Sequence, residues 1–182
     1  MEPRPAATVI LARPAEGGVE VLVLTRGPDN SFLPGFAVFP GGTIDPSDAE
    51  LAARLFGDRE EVARACALRE LQEETGIRFE PQEAESLVEV ARWVAPEFIE
   101  KRFDARFFAA PAPDGAEPVP DGKEASEARF VAPSEVLDEV DRGRVEVFWP
   151  TLVMLRALAE CATVEDVLDL RVEQTPNPAV PR

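Results

Sequence analysis

The chain has 182 residues, about the size of one domain, and 45% of them are hydrophobic, which is enough for a sizeable core. Acidic residues outnumber basic ones by 35 to 19, and a surface that acidic repels phosphate backbones and anionic lipids. Histidine is absent, which excludes Ser-His-Asp triads, His general bases and His-ligated zinc, so any metal must be bound by oxygen ligands.

The cysteines and the termini indicate where the protein works. Cys66 and Cys161 form no C-x-x-C motif and no disulfide framework, which fits a reducing cytosol. The longest early apolar stretch, residues 6–12, is too short for a signal peptide or a membrane span. The last four residues, 179–182, are not a peroxisomal address. We therefore expect a cytoplasmic protein with neither a nucleic-acid nor a membrane partner.

The first half of the chain predicts two strands followed by two helices. Short β-branched runs at residues 7–12 and 19–25 are separated by Gly and Pro, which predicts a hairpin. A helix is expected to start at residues 45–48 and to end at Gly57. A second helix is expected from Asp58 to Gly76, with Glu61 completing a capping box.

The second half continues the alternation of strands and helices. Strands are predicted at residues 87–94, 102–110 and 128–131, and helices at 134–141, 150–161 and 164–170, the last capped by Thr163. Residues 111–127 form a long acidic loop, and loops of that length are usually functional. The Pro-rich tail, 174–182, is predicted to be disordered. The alternation predicts an α/β domain built around a mixed sheet.

Three carboxylates share one face of the second helix. At about 100° per residue, Glu70, Glu73 and Glu74 fall within an arc of ~100°, while Leu68 and Leu71 point toward the core. Such carboxylates repel one another, and a divalent cation removes that repulsion. Oxygen-only ligation suits Mg²⁺ or Mn²⁺. A solvated acidic face on an acidic protein is the alternative interpretation.

The segment that contains these glutamates, residues 69–77, resembles the signature of the Nudix hydrolases, G-x5-E-x7-R-E-U-x-E-E-x-G-U, where U is bulky and aliphatic. The second half of the signature is matched without a substitution. Counting back eight residues from Arg69 places the first signature glutamate at Glu61. The signature glycine resembles Gly42, which precedes Glu61 by nineteen residues where the signature has six. An insertion at about residues 43–57 is therefore expected.

The resemblance extends over roughly residues 5–160 to a long-insert branch of the family that includes peroxisomal enzymes cleaving coenzyme A and acyl-CoA. The segments that carry it are 32–42 with Asp45 and Asp48, then 91–96 and 102–108. The CoA signature, L-L-T-x-R-S-x3-R-x3-G, is not matched, since Arg26 directly follows Thr25 and Phe32 stands near the second arginine position.

The resemblance implies a Nudix fold, with a mixed sheet sandwiched between helices, in a single domain of residues 1–173. By resemblance, Glu70, Glu73 and Glu74 bind Mg²⁺ or Mn²⁺, the Gly42 carbonyl is a further ligand, and Arg69 orients a glutamate. Glu61 is either a ligand or a helix cap. A late-loop glutamate serves as ligand or general base, either Glu124, which matches the branch better, or Glu127.

Three arginines and several aromatic residues are candidates for substrate binding. Guanidinium groups match phosphate oxygens, which makes Arg26, Arg102 and Arg106 candidate clamps, with surface ion pairs as the alternative. Phe32, Phe36 and Phe39 could stack on a base or pack in the core. The implied activity is metal-dependent hydrolysis of a nucleoside diphosphate linked to another moiety. CoA or acyl-CoA is the first substrate expectation, ADP-ribose or a nucleotide sugar the second, and a silent ligand sensor the rival. A homodimer is left open.

Overall fold

A computed structural model describes residues 2–28, 34–97 and 101–177 of the chain. Within these residues the elements are, in chain order, β1 (Arg4–Ala15), β2 (Gly18–Arg26), β3 (Phe36–Val38), β4 (Gly41–Thr43), α1 (Asp48–Phe56), α2 (Val62–Thr75), α3 (Pro81–Ala84), β5 (Val88–Val94), β6 (Phe103–Pro111), β7 (Ala125–Val131), α4 (Pro133–Asp141), β8 (Glu146–Val147), α5 (Trp149–Ala159) and α6 (Val164–Leu168).

The hairpin predicted at the start of the chain is confirmed, but its strands pair only near the turn. Residues 12–15 of β1 pair with residues 18–21 of β2, and Arg13 bonds Glu20 across the pair at 2.8 Å. Farther from the turn, residues 6–8 of β1 pair with β4 instead, and residues 24–25 of β2 pair with β3. The segment that joins β3 to β4 therefore lies between the diverging strands, where Pro40 O accepts a hydrogen bond from Val9 N at 2.9 Å.

The eight strands found in the described part of the chain belong to one mixed sheet. Its order is β5-β6-β1-β2-β3-β8, with β4 also on β1 and β7 also on β2. The β1–β6 and β3–β8 pairs are parallel, and the others are antiparallel. The mixed sheet expected from the alternation of strands and helices is confirmed.

Helices cover both faces of the sheet, as the Nudix-like expectation requires. Val9 and Leu11 of β1 pack on the face covered by α2, while Ile10 and Ala12 pack on the face that α5 and α6 cover. Successive side chains of a strand point to opposite faces, so a strand buried on both sides is apolar throughout, as β1 is.

Some element boundaries differ from the sequence predictions. The short elements β3, β4, α3 and β8 were not predicted, because two to four residues show no periodicity. Helix α2 begins at Val62, and the capping box predicted between Asp58 and Glu61 is absent from it: the Asp58 carboxylate accepts from Glu60 N at 2.9 Å. The predicted Thr163 cap of α6 is confirmed.

The start of the C-terminal tail packs on the edge of the sheet, which differs from the predicted disorder. The Gln174 side chain exchanges two hydrogen bonds with the Val94 backbone, at 2.8 and 3.0 Å, and Trp149 Nε1 donates to Thr175 O at 3.0 Å. Residues 178–182 of that prediction, and Phe32, lie outside the described residues. None of the helices in the described ranges has the length and apolar character needed to cross a membrane.

Candidate active site

Helix α2 carries the three predicted glutamates on the side away from Leu68 and Leu71, as the helical period predicts. It ends at Gly76, whose left-handed φ of 73° suits glycine and whose N–H bonds Gln72 O at 2.9 Å. Leu68 and Leu71 are buried against the sheet, as predicted. Glu73 is exposed, but Glu74 is only 4% exposed, so the three carboxylates occupy different environments.

The glycines after β3 lie against this helix face. Gly41 N donates to Glu74 Oε2 at 3.1 Å, and a Cβ on Gly42 would overlap the Glu70 carboxylate. Both glycines belong to β4, which pairs with the start of β1. The two halves of the signature, far apart along the chain, therefore meet because β4 pairs with the strand on which α2 packs.

Arg69 bonds three carboxylates at one end of this cluster. Its Nη1 donates to Glu70 Oε1 at 2.7 Å and to Glu73 Oε2 at 3.1 Å. Its Nε and Nη2 donate to the carboxylate of Asp48, at 2.7 and 3.2 Å. The predicted role of Arg69 in orienting a glutamate agrees with these contacts. Asp48, at the start of α1, was not among the predicted site residues.

Burial and like charge raise the pKa of two of the carboxyls. Desolvation is the largest cause for Glu74, whose pKa rises to about 8 despite the Gly41 N–H, and the charges of Glu70 and Glu124 add to it. The pKa of Glu70 is also raised, chiefly by burial, with Arg69 opposing the shift. A bound cation would favour the ionised forms of both groups.

The acidic loop carries Glu124 to the same cluster. Val119 N and Asp121 N donate to Thr75 O and Glu74 O at the end of α2, at 2.9 and 3.2 Å. The Asp121 carboxylate accepts from three successive amides, those of residues 123–125. Because the Glu124 charge raises the pKa of both Glu70 and Glu74, its carboxylate lies within electrostatic range of them.

The other late-loop candidate, Glu127, is not in the loop. The loop ends at residue 124, and Glu127 belongs to β7, where Thr25 Oγ1 donates to its carboxylate at 3.3 Å and Arg129 lies at 3.9 Å. The prediction that both glutamates belong to the loop is therefore wrong for Glu127. The early start of β7 shows no signal in the sequence, because the polar residues Ser126 and Glu127 interrupt the apolar pattern.

The candidate phosphate clamps have different surroundings. Arg26 is close enough to Glu74 that its charge opposes the rise in the Glu74 pKa. Arg102 Nε donates to Ala95 O at 3.0 Å, and Arg106 pairs with Glu89. Ala7 stands opposite both Gly42 and Arg106, so Arg106 lies two strands from Gly42, roughly 10 Å away across the sheet.

Two further predicted site residues, Phe39 and Glu61, make contacts that are typical of the core and of the surface rather than of a binding site. Phe39 is 4% exposed and packs in the core on the α5 side, so the alternative of core packing holds and the prediction that it binds substrate is wrong. Glu61 precedes the first residue of α2 and makes no side-chain cap. Its carboxylate lies 3.8 Å from Arg64 Nη1, a long surface ion pair.

The oxygen donors of the cluster suit Mg²⁺ or Mn²⁺, although they do not converge as they stand. Over residues 2–28, 34–97 and 101–177, no group of three or more Cys, Asp or Glu side chains is arranged to hold a metal ion. Arg69 holds the carboxylates of Glu70 and Glu73, and Gly41 N–H holds that of Glu74. The donor set fits the metal because it consists of oxygen atoms, most of them from carboxylates that are crowded and partly desolvated.

Comparison with known proteins identifies the family. The sequence matches the NUDIX domain over residues 2–148. The crystal structure of a NUDIX hydrolase from Alicyclobacillus acidocaldarius is 29% identical, with a TM-score of 0.80 over 92% of this chain and 96% of that one. The NUDIX domain of Shewanella oneidensis NrtR, complexed with ADP ribose, is 14% identical, with a TM-score of 0.61 over 86% of each chain, which shows the fold alone.

The chain belongs to the Nudix family, and its fold is the Nudix fold. A curated relative from Caenorhabditis elegans, named "Putative nudix hydrolase 7", is 29% identical over 86% of this chain. The chain spans 61% of that relative's length. The resemblance seen in residues 69–77 is thereby confirmed at the level of the family.

Proposed function

We propose that this protein is a diphosphohydrolase that uses Mg²⁺ or Mn²⁺ and cleaves the diphosphate bond of a nucleoside diphosphate linked to another moiety. The observation that carries the proposal is the burial of Glu70 and Glu74 beside each other and beside the charge of Glu124, which together raise the pKa of both buried carboxyls, burial being the larger cause. A group of carboxylates that repel one another in a partly buried site is stabilised by a cation. The family match supports the same conclusion.

Each residue of the cluster has a proposed role. Glu70, Glu73 and Glu74 would hold the ion, together with Glu124 or the Gly42 carbonyl. The bound ion would polarise a phosphorus–oxygen bond and lower the pKa of the attacking water. Glu124, on a loop docked against α2, would accept the proton of that water at a carboxylate oxygen. Arg26 would bind a phosphate oxygen of the substrate, because it lies near Glu74 and its fork matches phosphate geometry.

Coenzyme A or an acyl-CoA is the proposed substrate, based on the resemblance to the long-insert branch. Water attacks one phosphorus and the bridging oxygen leaves, so the products would be 3′,5′-ADP and a 4′-phosphopantetheine. The second candidate is ADP-ribose, because the NrtR domain that shares this fold is complexed with that compound. A silent sensor is less favoured because every carboxylate of the signature's second half is present.

The experiment is a panel of CoA, acyl-CoA, ADP-ribose and nucleotide sugars with Mg²⁺, read by chromatography as loss of the intact substrate, because a coupled phosphatase would release the 3′-phosphate of CoA without cleavage of the diphosphate. The matched control is Glu73→Gln, prepared identically, which excludes a contaminating hydrolase. Mass spectrometry then identifies the bond that was cleaved. Free CoA formed from an acyl-CoA, with the diphosphate intact, would contradict the proposed chemistry. Absence of turnover on the whole panel would favour the sensor.

A further inference from the structure

Asp121 connects the end of helix α2 to the loop residue Glu124. Its backbone N–H donates to Glu74 O at 3.2 Å, and two residues earlier Val119 N donates to Thr75 O at 2.9 Å. The last carbonyls of a helix have no partner within the helix, so the two loop amides satisfy groups that would otherwise need water. The loop is thereby joined to the backbone of Glu74 itself.

The side chain of Asp121 forms the other half of this connection. Its carboxylate accepts from Glu124 N, at 3.0 Å to Oδ1 and 3.1 Å to Oδ2. Oδ1 also accepts from Lys123 N at 3.1 Å and from Ala125 N at 2.9 Å. Hydrogen bonds to an ionised group are stronger than those between neutral groups. A carboxylate that accepts from three successive amides therefore fixes the turn from which the Glu124 side chain extends.

Further backbone contacts hold the same turn. Gly122 has a left-handed φ of 73°, which suits glycine, and its N–H donates to Ala125 O at 3.0 Å. Gly27 N, just after β2, donates to Glu124 O at 3.0 Å. Arg26, the proposed phosphate ligand, pairs with Ala125 across β2 and β7. Glu124 is therefore held through its N–H and its carbonyl, beside the strand end that carries Arg26.

We infer that Asp121 is a positioning residue of the active site, which sets the place of the Glu124 carboxylate relative to Glu74. The inference rests on the proposed function, because Glu124 is the group proposed there to accept the proton of the attacking water. One residue joins the backbones of both glutamates, so a displacement of the Asp121 carboxylate is passed to Glu124 while Glu74 stays on its helix. Asp121 itself would contact neither the metal nor the substrate.

Steady-state kinetics of the purified full chain test the inference. Asp121→Ala removes the acceptor of all three amides, so the Glu124 carboxylate is no longer held in place. We expect kcat on the best substrate of the panel to fall roughly tenfold to a hundredfold, with KM within about threefold of the wild-type value, because proton transfer occurs during turnover and not during substrate binding. Asp121→Asn retains one acceptor oxygen and should lose less. The matched control is Asp114→Ala, an exposed acid of the same loop, which should keep the wild-type kcat.

A double-mutant cycle tests whether Asp121 acts through Glu124. We expect Asp121→Ala to lower kcat no further in a chain that already carries Glu124→Gln, because the carboxylate that Asp121 positions is then absent. Additive losses would overturn the inference, since Asp121 would then serve the site by another route. Wild-type kcat in folded Asp121→Ala would overturn it as well. If Asp121→Ala does not fold, Asp121→Asn is measured in the same cycle.

Amide hydrogen exchange of the metal-free chain, measured by NMR, gives a readout that needs no turnover. The amides of residues 123–125 should exchange about tenfold faster in Asp121→Ala than in the wild type, because they lose their acceptor. Amides in the middle of α2 should exchange as in the wild type, which shows that the fold is intact. Unchanged exchange at residues 123–125 would overturn the inference even if kcat fell.

The outcomes separate this inference from the proposed function. A wild-type chain that turns over no substrate of the panel would refute the proposed function, and amide exchange would still decide whether Asp121 fixes the turn that carries Glu124. Metal-dependent hydrolysis with wild-type kcat in Glu124→Gln would leave the hydrolase activity standing and overturn the inference, because Glu124 would then have no role for Asp121 to support.

Discussion

Gly42 and Glu70 approach so closely that a Cβ on Gly42 would overlap the glutamate carboxylate. The two residues are 28 positions apart and lie on different elements, β4 and α2. The atoms that a new methyl group would meet are the end of a flexible side chain rather than backbone. A substitution at Gly42 therefore displaces a candidate metal ligand with little effect on the core.

We expect Gly42→Ala to lower kcat and weaken Mn²⁺ binding by about tenfold or more, because the Glu70 carboxylate must move. The control is Gly115→Ala, at an exposed loop position with a φ of 71° and open space around it. That variant should lose about 1 kcal/mol of stability to backbone strain and keep its kcat. Melting temperature and kcat are measured for both variants. Gly42→Ala should lose kcat with little change in melting temperature, and Gly115→Ala should lose melting temperature with little change in kcat. Full activity in Gly42→Ala would mean that the contact has no role.

Activity should depend on a divalent cation. The candidate ligands of the cluster are all oxygen atoms, so Mg²⁺ and Mn²⁺ should both restore turnover after removal of metal. The measurement is the hydrolysis rate on the best substrate of the panel, with excess EDTA and after back-titration of each ion. Full turnover in EDTA would refute the metal-dependent mechanism.

Glu73→Gln should lower kcat by several orders of magnitude, each factor of ten being ~1.4 kcal/mol of lost transition-state stabilisation. The melting temperature without metal should change little, because the Glu73 carboxylate is exposed and its bond to Arg69 is a surface ion pair. Glu61→Gln should leave kcat nearly intact and change stability by less than about 1 kcal/mol. Wild-type kcat for Glu73→Gln at saturating Mg²⁺ would remove the metal-site interpretation.

Replacement of the two late glutamates should show which one serves the reaction. Glu124→Gln is expected to lose more kcat than Glu127→Gln, because Glu124 influences the pKa of Glu70 and Glu74 whereas Glu127 bonds Thr25 on the neighbouring strand. The two variants carry the same change three residues apart, so each controls for the other. kcat at saturating substrate is the measurement, and an equal or reversed order would contradict the assignment.

The metal-free protein should lose stability as the pH rises toward 8. The folded-state pKa of Glu74, about 8, lies above its ordinary value of 4.5, so between these values the folded state holds a proton that the unfolded state has released. The resulting stability is complete below about pH 4.5 and is lost as the pH rises through the folded pKa. Melting temperature between pH 5.5 and 8.5 should fall by an amount on the order of 5 °C.

Two controls isolate the contribution of Glu74. Glu74→Gln cannot titrate, so its melting temperature should vary less over the same pH interval. Saturating Mg²⁺ should also flatten the wild-type profile, because a bound ion favours the carboxylate. Identical profiles for the wild type and Glu74→Gln would show that the group titrates normally in the folded protein.

Part of the site is determined by local periodicity and could be read from the sequence. The period of α2 places Leu68 and Leu71 on the sheet and the glutamates on the other side, since side chains three and four residues apart share a face. Gly76 ends the helix because it adopts a left-handed conformation that other residues disfavour. The second half of the family signature, residues 69–77, has the same local spacing, which is why the sequence alone indicated the family.

Tertiary structure alone decided which distant groups meet. Asp48 pairs with Arg69 across 21 residues, and loop amides after residue 118 reach the carbonyls at the end of α2. The chain folds Phe39 into the core and pairs Arg106 with Glu89, although the residue types alone allow both to bind substrate. The pKa of Glu74 likewise depends on burial, which is a property of the packed molecule. These contacts depend on the divergence of β1 and β2 beyond their turn, because β4 pairs with β1 in the space between them and lies against α2. A local sequence pattern does not predict this divergence.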